Sequence, residues 1–168
     1  AHERCIAGIG RSYQVPRPFE SITVFENLLV AAVHGAGRQV SEAVDFCADI
    51  LARTGLISHA NRPAGSLMLL ERKRLEMARA LATAPELLLL DEIAGGLTER
   101  ECQELIATIK DIRAAGTTIV WIEHIVHALL AVVDRLVVLN FGRKIAEGEP
   151  REVMGSREVG EIYMGLAI

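Results

Sequence analysis

Asp91 and Glu92 stand side by side at the end of the run Leu87-Leu88-Leu89-Leu90. Two adjacent carboxylates delivered by an apolar run are this chain's clearest means of doing chemistry. A strand covered on both faces reads as a continuous apolar run, and open α/β sheets collect ligands at the carboxyl ends of their strands. Neighbouring strand side chains point to opposite sides, so both acids reach one ligand only if the backbone unwinds slightly after Leu90. One acid then suits a magnesium ion, and the other suits orienting or deprotonating a water. A core strand that ends in a solvated acidic turn has the same sequence, and the run by itself leaves both readings open.

The flanking sequence says how such a pair is positioned. Upstream, Arg72–Ala82 is rich in strong helix formers, with Leu75, Met77, Ala78 and Leu81 available for an inward face and Pro85 as a stop. Downstream, Gly95 and Gly96 make a turn, Thr98 is a helix N-cap and Glu101 is its capping-box partner. A helix over Glu99–Ala114 is expected, ending at Gly116. The β-branched and aromatic residues Thr117–Ile122 then predict a second buried strand, followed by Glu123 and His124. Two parallel strands joined by a helical crossover bring His124 to the same sheet edge as Asp91 and Glu92. Taken alone, His124 reads more readily as a strand-end histidine with a backbone partner, and its register behind Asp91 and Glu92 turns the reading toward a phosphate contact.

This order of parts resembles the nucleotide-binding subunits of ABC transporters over nearly the whole chain. Leu87–Glu92 is similar to the family's Walker B strand, which puts Asp91 in the magnesium-linked position and Glu92 in that of the catalytic carboxylate. Ala94-Gly95-Gly96-Leu97-Thr98 falls where the D-loop lies, with Thr98 standing where the family has Asn or Asp. His124 matches the switch histidine that contacts the γ-phosphate. Gln14, in Arg11-Ser12-Tyr13-Gln14, matches the Q-loop glutamine that touches both the magnesium site and the membrane partner. Residues 142–150 are similar to the family's closing hairpin and helix. Within the family, Val24–Leu28, Gly55-Leu56-Ile57, Arg74–Arg79 and the ending Glu161-Ile162-Tyr163-Met164-Gly165 resemble subunits of branched-chain amino acid importers.

The resemblance implies an α/β chain with a partial P-loop NTPase (ABC ATPase) fold, a parallel sheet core and a small helical subdomain. It implies ATP and Mg²⁺ as cofactors, with Asp91 and Gln14 toward the metal and His124 and Thr98 toward the nucleotide. Glu92, His124 and Gln14 are the implied catalytic residues. Transmembrane permease subunits and a second ATP-binding subunit are the implied partners, and the inner face of the cell membrane, on the cytoplasmic side, is the implied location. Cargo is not implied, because a urea, amide or aromatic-compound importer of the same group reads almost identically.

Two departures bear on activity. No G-x-x-x-x-G-K-[ST] loop occurs, and the first lysine is Lys73. Without that loop the phosphates lack a backbone cradle, the lysine on the β/γ-phosphates and the hydroxyl on magnesium. The chain thus resembles a protein that begins after its first βα unit, and Ala1 is not the expected start of a working ATPase. The second departure is the signature segment, where Leu67, Met68, Leu69, Leu70 and Glu71 replace LSGGQ. The lost glycines and serine are those that let backbone and hydroxyl approach a phosphate at a helix N-terminus. Glu71 is expected to bring a carboxylate to where a γ-phosphate arrives. Each lost donor to a developing charge typically costs about 10² to 10³ in rate. A non-hydrolysing docking module is therefore the competing functional class.

Composition excludes several alternatives. A net charge of −4 with dispersed basic residues leaves no electrostatic footprint for nucleic acid. Arg72-Lys73-Arg74 is taken as the solvated side of a helix. Cys5, Cys47 and Cys102 lack C-x-x-C spacing, so zinc and disulfides are not expected. Residues 1–22 are assigned to a Q-loop segment in which the first twenty or so form an exposed loop. Residues 23–84 make the helical subdomain with the degenerate signature, and residues 85–168 the α/β lobe. Phe19, Phe25 and Phe46 are assigned to the core, and His34 and His59 to loops. At 51% hydrophobic residues the chain is suited to packing against something else. Without the first βα unit its sheet should be bared, and large apolar patches seldom stay solvated. Light scattering at micromolar concentration is therefore expected to show oligomers or aggregates, and a sharp monomer peak would contradict this.

Overall fold

The computed structural model describes residues 2–163, in two compact units, 1–125 and 126–168. Met164 and Gly165 of the importer-like ending lie outside the described residues. The first unit is built on a three-stranded parallel sheet in the order β1 (Ile9–Arg11), β2 (Leu87–Asp91), β3 (Thr118–Ile122). Ile9 pairs with Leu87 and Leu87 with Thr118, so Arg11, Leu89 and Val120 lie in one row across the sheet. Leu88 and Leu90 are buried to 0% and 1% exposure, which accounts for the apolar run around the central strand.

Helix α5 (Glu99–Ala114) is the crossover between β2 and β3. It starts at Thr98, whose hydroxyl and backbone N–H both donate to the Glu101 carboxylate, at 2.7 and 2.8 Å. These bonds favour the charged form and hold the Glu101 carboxyl below its ordinary value. Cys102, Leu105, Ile106, Ile109 and Ile112 form its buried stripe, at the i, i+3, i+4 spacing of an amphipathic helix.

Helices α2 (Val24–His34), α3 (Val40–Arg53) and α4 (Leu69–Ala82) pack together as a helical group. Thr23 caps α2 through a reciprocal pair of bonds with Glu26. Val24, Leu28, Leu51 and Leu75 meet in the group's interior with no solvent exposure.

Several sequence expectations are corrected. Residues 1–20 are not a loop throughout: a short helix α1 (His2–Ile6) precedes β1, which extends the sheet beside the central strand. β1 escapes pattern recognition because three residues centred on a glycine carry no periodicity. Lys73 is not on the solvated side of α4 but is 5% exposed, at a position continuous with Met77 and Ala80. Phe19 is 49% exposed, under the Arg79 guanidinium at 5.1 Å. His34 is the last residue of α2, and His59, in a short 3₁₀ turn, lies 2.9 Å from the Glu71 carboxylate.

In the second unit, α6 (Val126–Leu130) leads to an antiparallel hairpin, β4 (Leu136–Asn140) and β5 (Arg143–Gly148). Phe141 and Gly142 turn the hairpin with φ of 45° and 75°, the positive values a two-residue connection favours. Helices α7 (Pro150–Met154) and α8 (Arg157–Tyr163) follow it. Among the described residues no helix is long and apolar enough to cross a membrane.

Leu75 tests the helical group. Leu75→Ala is expected to lower stability by about 2 to 5 kcal/mol through lost burial and a residual cavity. Urea unfolding followed by far-ultraviolet circular dichroism reads this, and a loss below about 1 kcal/mol would contradict the packing described.

Candidate functional site

Parallel pairing sends the carboxyl ends of β1, β2 and β3 to one edge, and the polar residues that follow each strand meet there. The Arg11 guanidinium donates to Asp91 Oδ2 at 2.8 Å. Ser12 is fully buried beyond β1, where its hydroxyl accepts the Asp91 backbone N–H at 3.3 Å. The Gln14 amide donates to Glu92 Oε2 at 2.6 Å. His124 Nδ1 lies 3.6 Å from that same oxygen. Gln14 and His124 thus both approach the Glu92 carboxylate, and Asp91, paired with Arg11, precedes Glu92 at the same sheet edge.

Glu92 adopts φ +44°, a left-handed conformation uncommon for a residue with a side chain. This is the local unwinding that adjacent carboxylates need. Its N–H is retained by the Ile122 carbonyl at 2.9 Å, so the turn stays attached to β3. Its side chain is 34% exposed and that of Asp91 32%, so both acids are reachable from solvent.

Two residues that pattern reading passed over support this turn. Lys73 extends from α4 and donates to the Glu92 carbonyl at 3.3 Å. Burial pulls its proton affinity down, while the nearby Glu123 and Glu92 charges raise it again. Glu123 has a fully buried side chain. One of its oxygens accepts the Ala94 N–H at 3.0 Å, and the other accepts the His124 N–H at 3.1 Å. The carboxylate therefore joins the turn after β2 to the end of β3. Both had a readable signal: Lys73 falls four residues before Met77 on the inward stripe of α4, and Glu123 is on the same side of its strand as buried Trp121.

Helix α4 also anchors the Gln14 segment. Its Glu76 carboxylate accepts the Arg17 N–H at 3.3 Å, and its Arg79 donates to the Arg17 carbonyl at 2.8 Å. Tyr13, Gln14, Val15, Arg17, Glu76, Arg79 and Asp91 line an open cleft of about 570 Å³.

Thr98 is not gathered with the four polar groups, because its hydroxyl is engaged in capping α5. Leu67 is 5% exposed, whereas Met68 and Leu69 are 74% and 45% exposed at the start of α4. Leu70 is half-buried. Glu71 turns back so that its carboxylate accepts the Met68 N–H at 2.8 Å and meets His59 on its other oxygen. The amino end of α4 is thus occupied by its own carboxylate. The Leu69 side chain reaches toward the turn after β2, where a Cβ on Gly96 would lie 3.4 Å from Leu69 Cδ2.

Donor chemistry at the edge fits a hard cation in part. Asp91 and the Gln14 amide oxygen are oxygen donors of the kind magnesium accepts when phosphates supply the remainder. Among the described residues no cluster of three or more His, Cys, Asp or Glu could hold a metal unaided. Arg11 already neutralises Asp91, so a cation arriving there competes with a guanidinium.

Lys73 makes a pH-dependent prediction. Its folded-state proton affinity lies below the ordinary 10.5, so the unfolded chain holds more protons between the lowered value and 10.5. Stability gains from Lys73 as pH rises through that window, and its burial penalty is present in full below it. The stability of the wild type relative to Lys73→Met is therefore expected to rise as pH increases toward 10.5, in paired urea titrations. A difference that stays flat or falls over this range would contradict the burial of a charged amine.

Comparisons with known proteins agree with this geometry. Residues 2–95 match the ABC transporter family. The chain is 39% identical over 175 residues to the high-affinity branched-chain amino acid transport ATP-binding protein LivG of Salmonella typhimurium, covering 95% of this chain and 69% of that protein. It is 34% identical to the corresponding protein BraF of Pseudomonas aeruginosa, over 99% and 71% of the two chains. The crystal structure of the ADP conformation of MJ1267, an ATP-binding cassette of an ABC transporter, superposes with a TM-score of 0.84 at 30% identity, covering 98% of this chain and 71% of that one. The open-edged parallel sheet, its carboxylate-bearing central strand and these likenesses lead to one assignment: the chain belongs to the ABC transporter family, with the fold of its ATP-binding cassettes.

Proposed function

We propose that this chain is an ATP-binding and ATP-hydrolysing subunit of an importer for branched-chain or related amino acids, and that these 168 residues by themselves do not turn ATP over. The convergence of Asp91, Glu92, Gln14 and His124 at one sheet edge is the observation that carries the reading. Likeness to LivG and BraF supports the importer class. On this reading the chain works on the cytoplasmic face of the membrane, with permease subunits and a second ATP-binding subunit. Residues 1–22 form its Q-loop segment, 23–84 the helical subdomain and 85–168 the α/β lobe.

Asp91 and the Gln14 amide oxygen would hold magnesium, which when bound supplies charge neutralisation to the phosphates. Glu92, reachable from solvent and bonded to Gln14, orients a water and accepts its proton. His124 offers its outer nitrogen to the terminal phosphate. Gln14 ties the edge to the cleft beside α4, where a membrane partner would sense occupancy. The 168 residues contain no glycine-rich phosphate loop, and the amino end of α4 presents Met68 and Leu69 in place of donors. These two features support inactivity of the isolated chain.

A docking role without hydrolysis is favoured by one specific observation, the occupation of the α4 amino end by Glu71. Calorimetric titration with Mg-ATP separates the two, with Asp91→Ala as control. Weak saturable binding lost in Asp91→Ala, with no hydrolysis above that of Glu92→Gln, is the expected result. An absence of binding at millimolar ATP would leave the docking role. Turnover by the wild-type chain that Glu92→Gln abolishes would refute inactivity.

A further inference from the structure

We propose that Glu123 is a positioning residue whose buried carboxylate holds His124 in the tautomer protonated at Nδ1 and turns a bare Nε2 outward. The inference rests on the reading of His124 as the phosphate-facing residue and explains how this chain presents it.

Nδ1 of His124 lies 3.1 Å from Glu123 Oε1 and 3.6 Å from Glu92 Oε2. Both neighbours are carboxylate oxygens, whose charge favours a proton on the nitrogen that faces them over one on the far nitrogen. Glu123 is fixed in turn. Its side chain is fully buried and its two oxygens are tied to the Ala94 and His124 N–H groups. The ammonium of Lys73, rooted in α4, offsets its charge. A buried carboxylate that fixes a histidine's tautomer and aims its other nitrogen is the arrangement that orients catalytic and metal-bound histidines.

The arrangement has a chemical consequence. With the proton on Nδ1, beside Glu123, Nε2 is a lone pair in the neutral ring, which would repel a phosphate oxygen. His124 is 65% exposed, so solvent can deliver a proton to Nε2. The resulting imidazolium donates Nε2–H to the phosphate while the Glu123 and Glu92 carboxylates offset its charge. Discrimination between an anionic ligand and a neutral one thus begins at Glu123, on the side of the ring that no ligand touches.

The test reads the tautomer directly. The whole chain, labelled with ¹⁵N-histidine, is studied at a pH where the ring is neutral. Long-range ¹H–¹⁵N correlation is used in solution, or magic-angle spinning if the chain self-associates. Loss of signals in His124→Gln assigns the ring. The wild type is expected to show protonated Nδ1 and bare Nε2. The two ¹⁵N positions should exchange in Glu123→Ala, since a free imidazole favours the Nε2–H form. Glu123→Asp keeps the charge but is too short to reach both partners, so it should exchange likewise. Glu92→Gln should leave the tautomer as it is. A wild-type ring protonated at Nε2, or an unchanged Nδ1–H form in either folded Glu123 variant, would overturn the proposal. No nucleotide is present, so a failure of Mg-ATP to bind bears on the proposed function and not on this result.

Discussion

Parallel pairing on both sides of β2 is the constraint from which the site follows. Three parallel strands must end at the same edge, and a chain that places a polar residue after each of them needs no further device to bring those residues together. The row Arg11–Leu89–Val120 sets the depth at which each strand stops. Two residues beyond that row on β2 is Asp91, and four beyond it on β3 is His124. A slip of one residue in either pairing would turn these groups to the opposite face. The buried leucines of β2 oppose any such slip.

Helix α4 is the second organising element. Leu75, Met77 and Ala78 are buried in the core, and its charged residues reach two separate parts of the site. Lys73 holds the Glu92 turn, while Glu76 and Arg79 hold the Gln14 segment. A helix is stiff over this length, so a disturbance at its exposed amino end is carried to both places as one body. Met68, Leu69 and Glu71 form the surface at that end, while Lys73, Glu76 and Arg79 make the attachments to the site.

Much of the fold was legible where elements were long and strongly patterned. The Leu87–Leu90 run, the Thr98–Glu101 cap and the β-branched stretch before His124 each express one physical rule over enough residues to be seen. β1 was hidden by its brevity and by Gly10, whose missing side chain lets the strand pass close to α4. A Cβ there would lie 2.9 Å from the Ala80 carbonyl. The approach of His124 to Asp91 and Glu92 could be foreseen from strand order, whereas Gln14 was placed by the family resemblance alone. The support beneath them could not. Charge in Arg72-Lys73-Arg74 suggests solvent, and only the stripe through Met77 argues otherwise. The structure resolves that conflict by giving Lys73 two carboxylates and a carbonyl. Nor does any pattern reveal that Glu71 folds back onto its own helix, since that depends on the position of His59 from a distant turn.

The left-handed backbone at Glu92 bears on the history of the chain. A non-glycine residue in such a region carries a conformational cost of about 1 to 3 kcal/mol that glycine would not. Selection for stability alone would drive this position toward glycine and erase the carboxylate. Leu69, Leu70 and Glu71, by contrast, take no left-handed backbone. A strained acid at residue 92 is therefore a position where a stabilising exchange and the loss of a carboxylate are the same event.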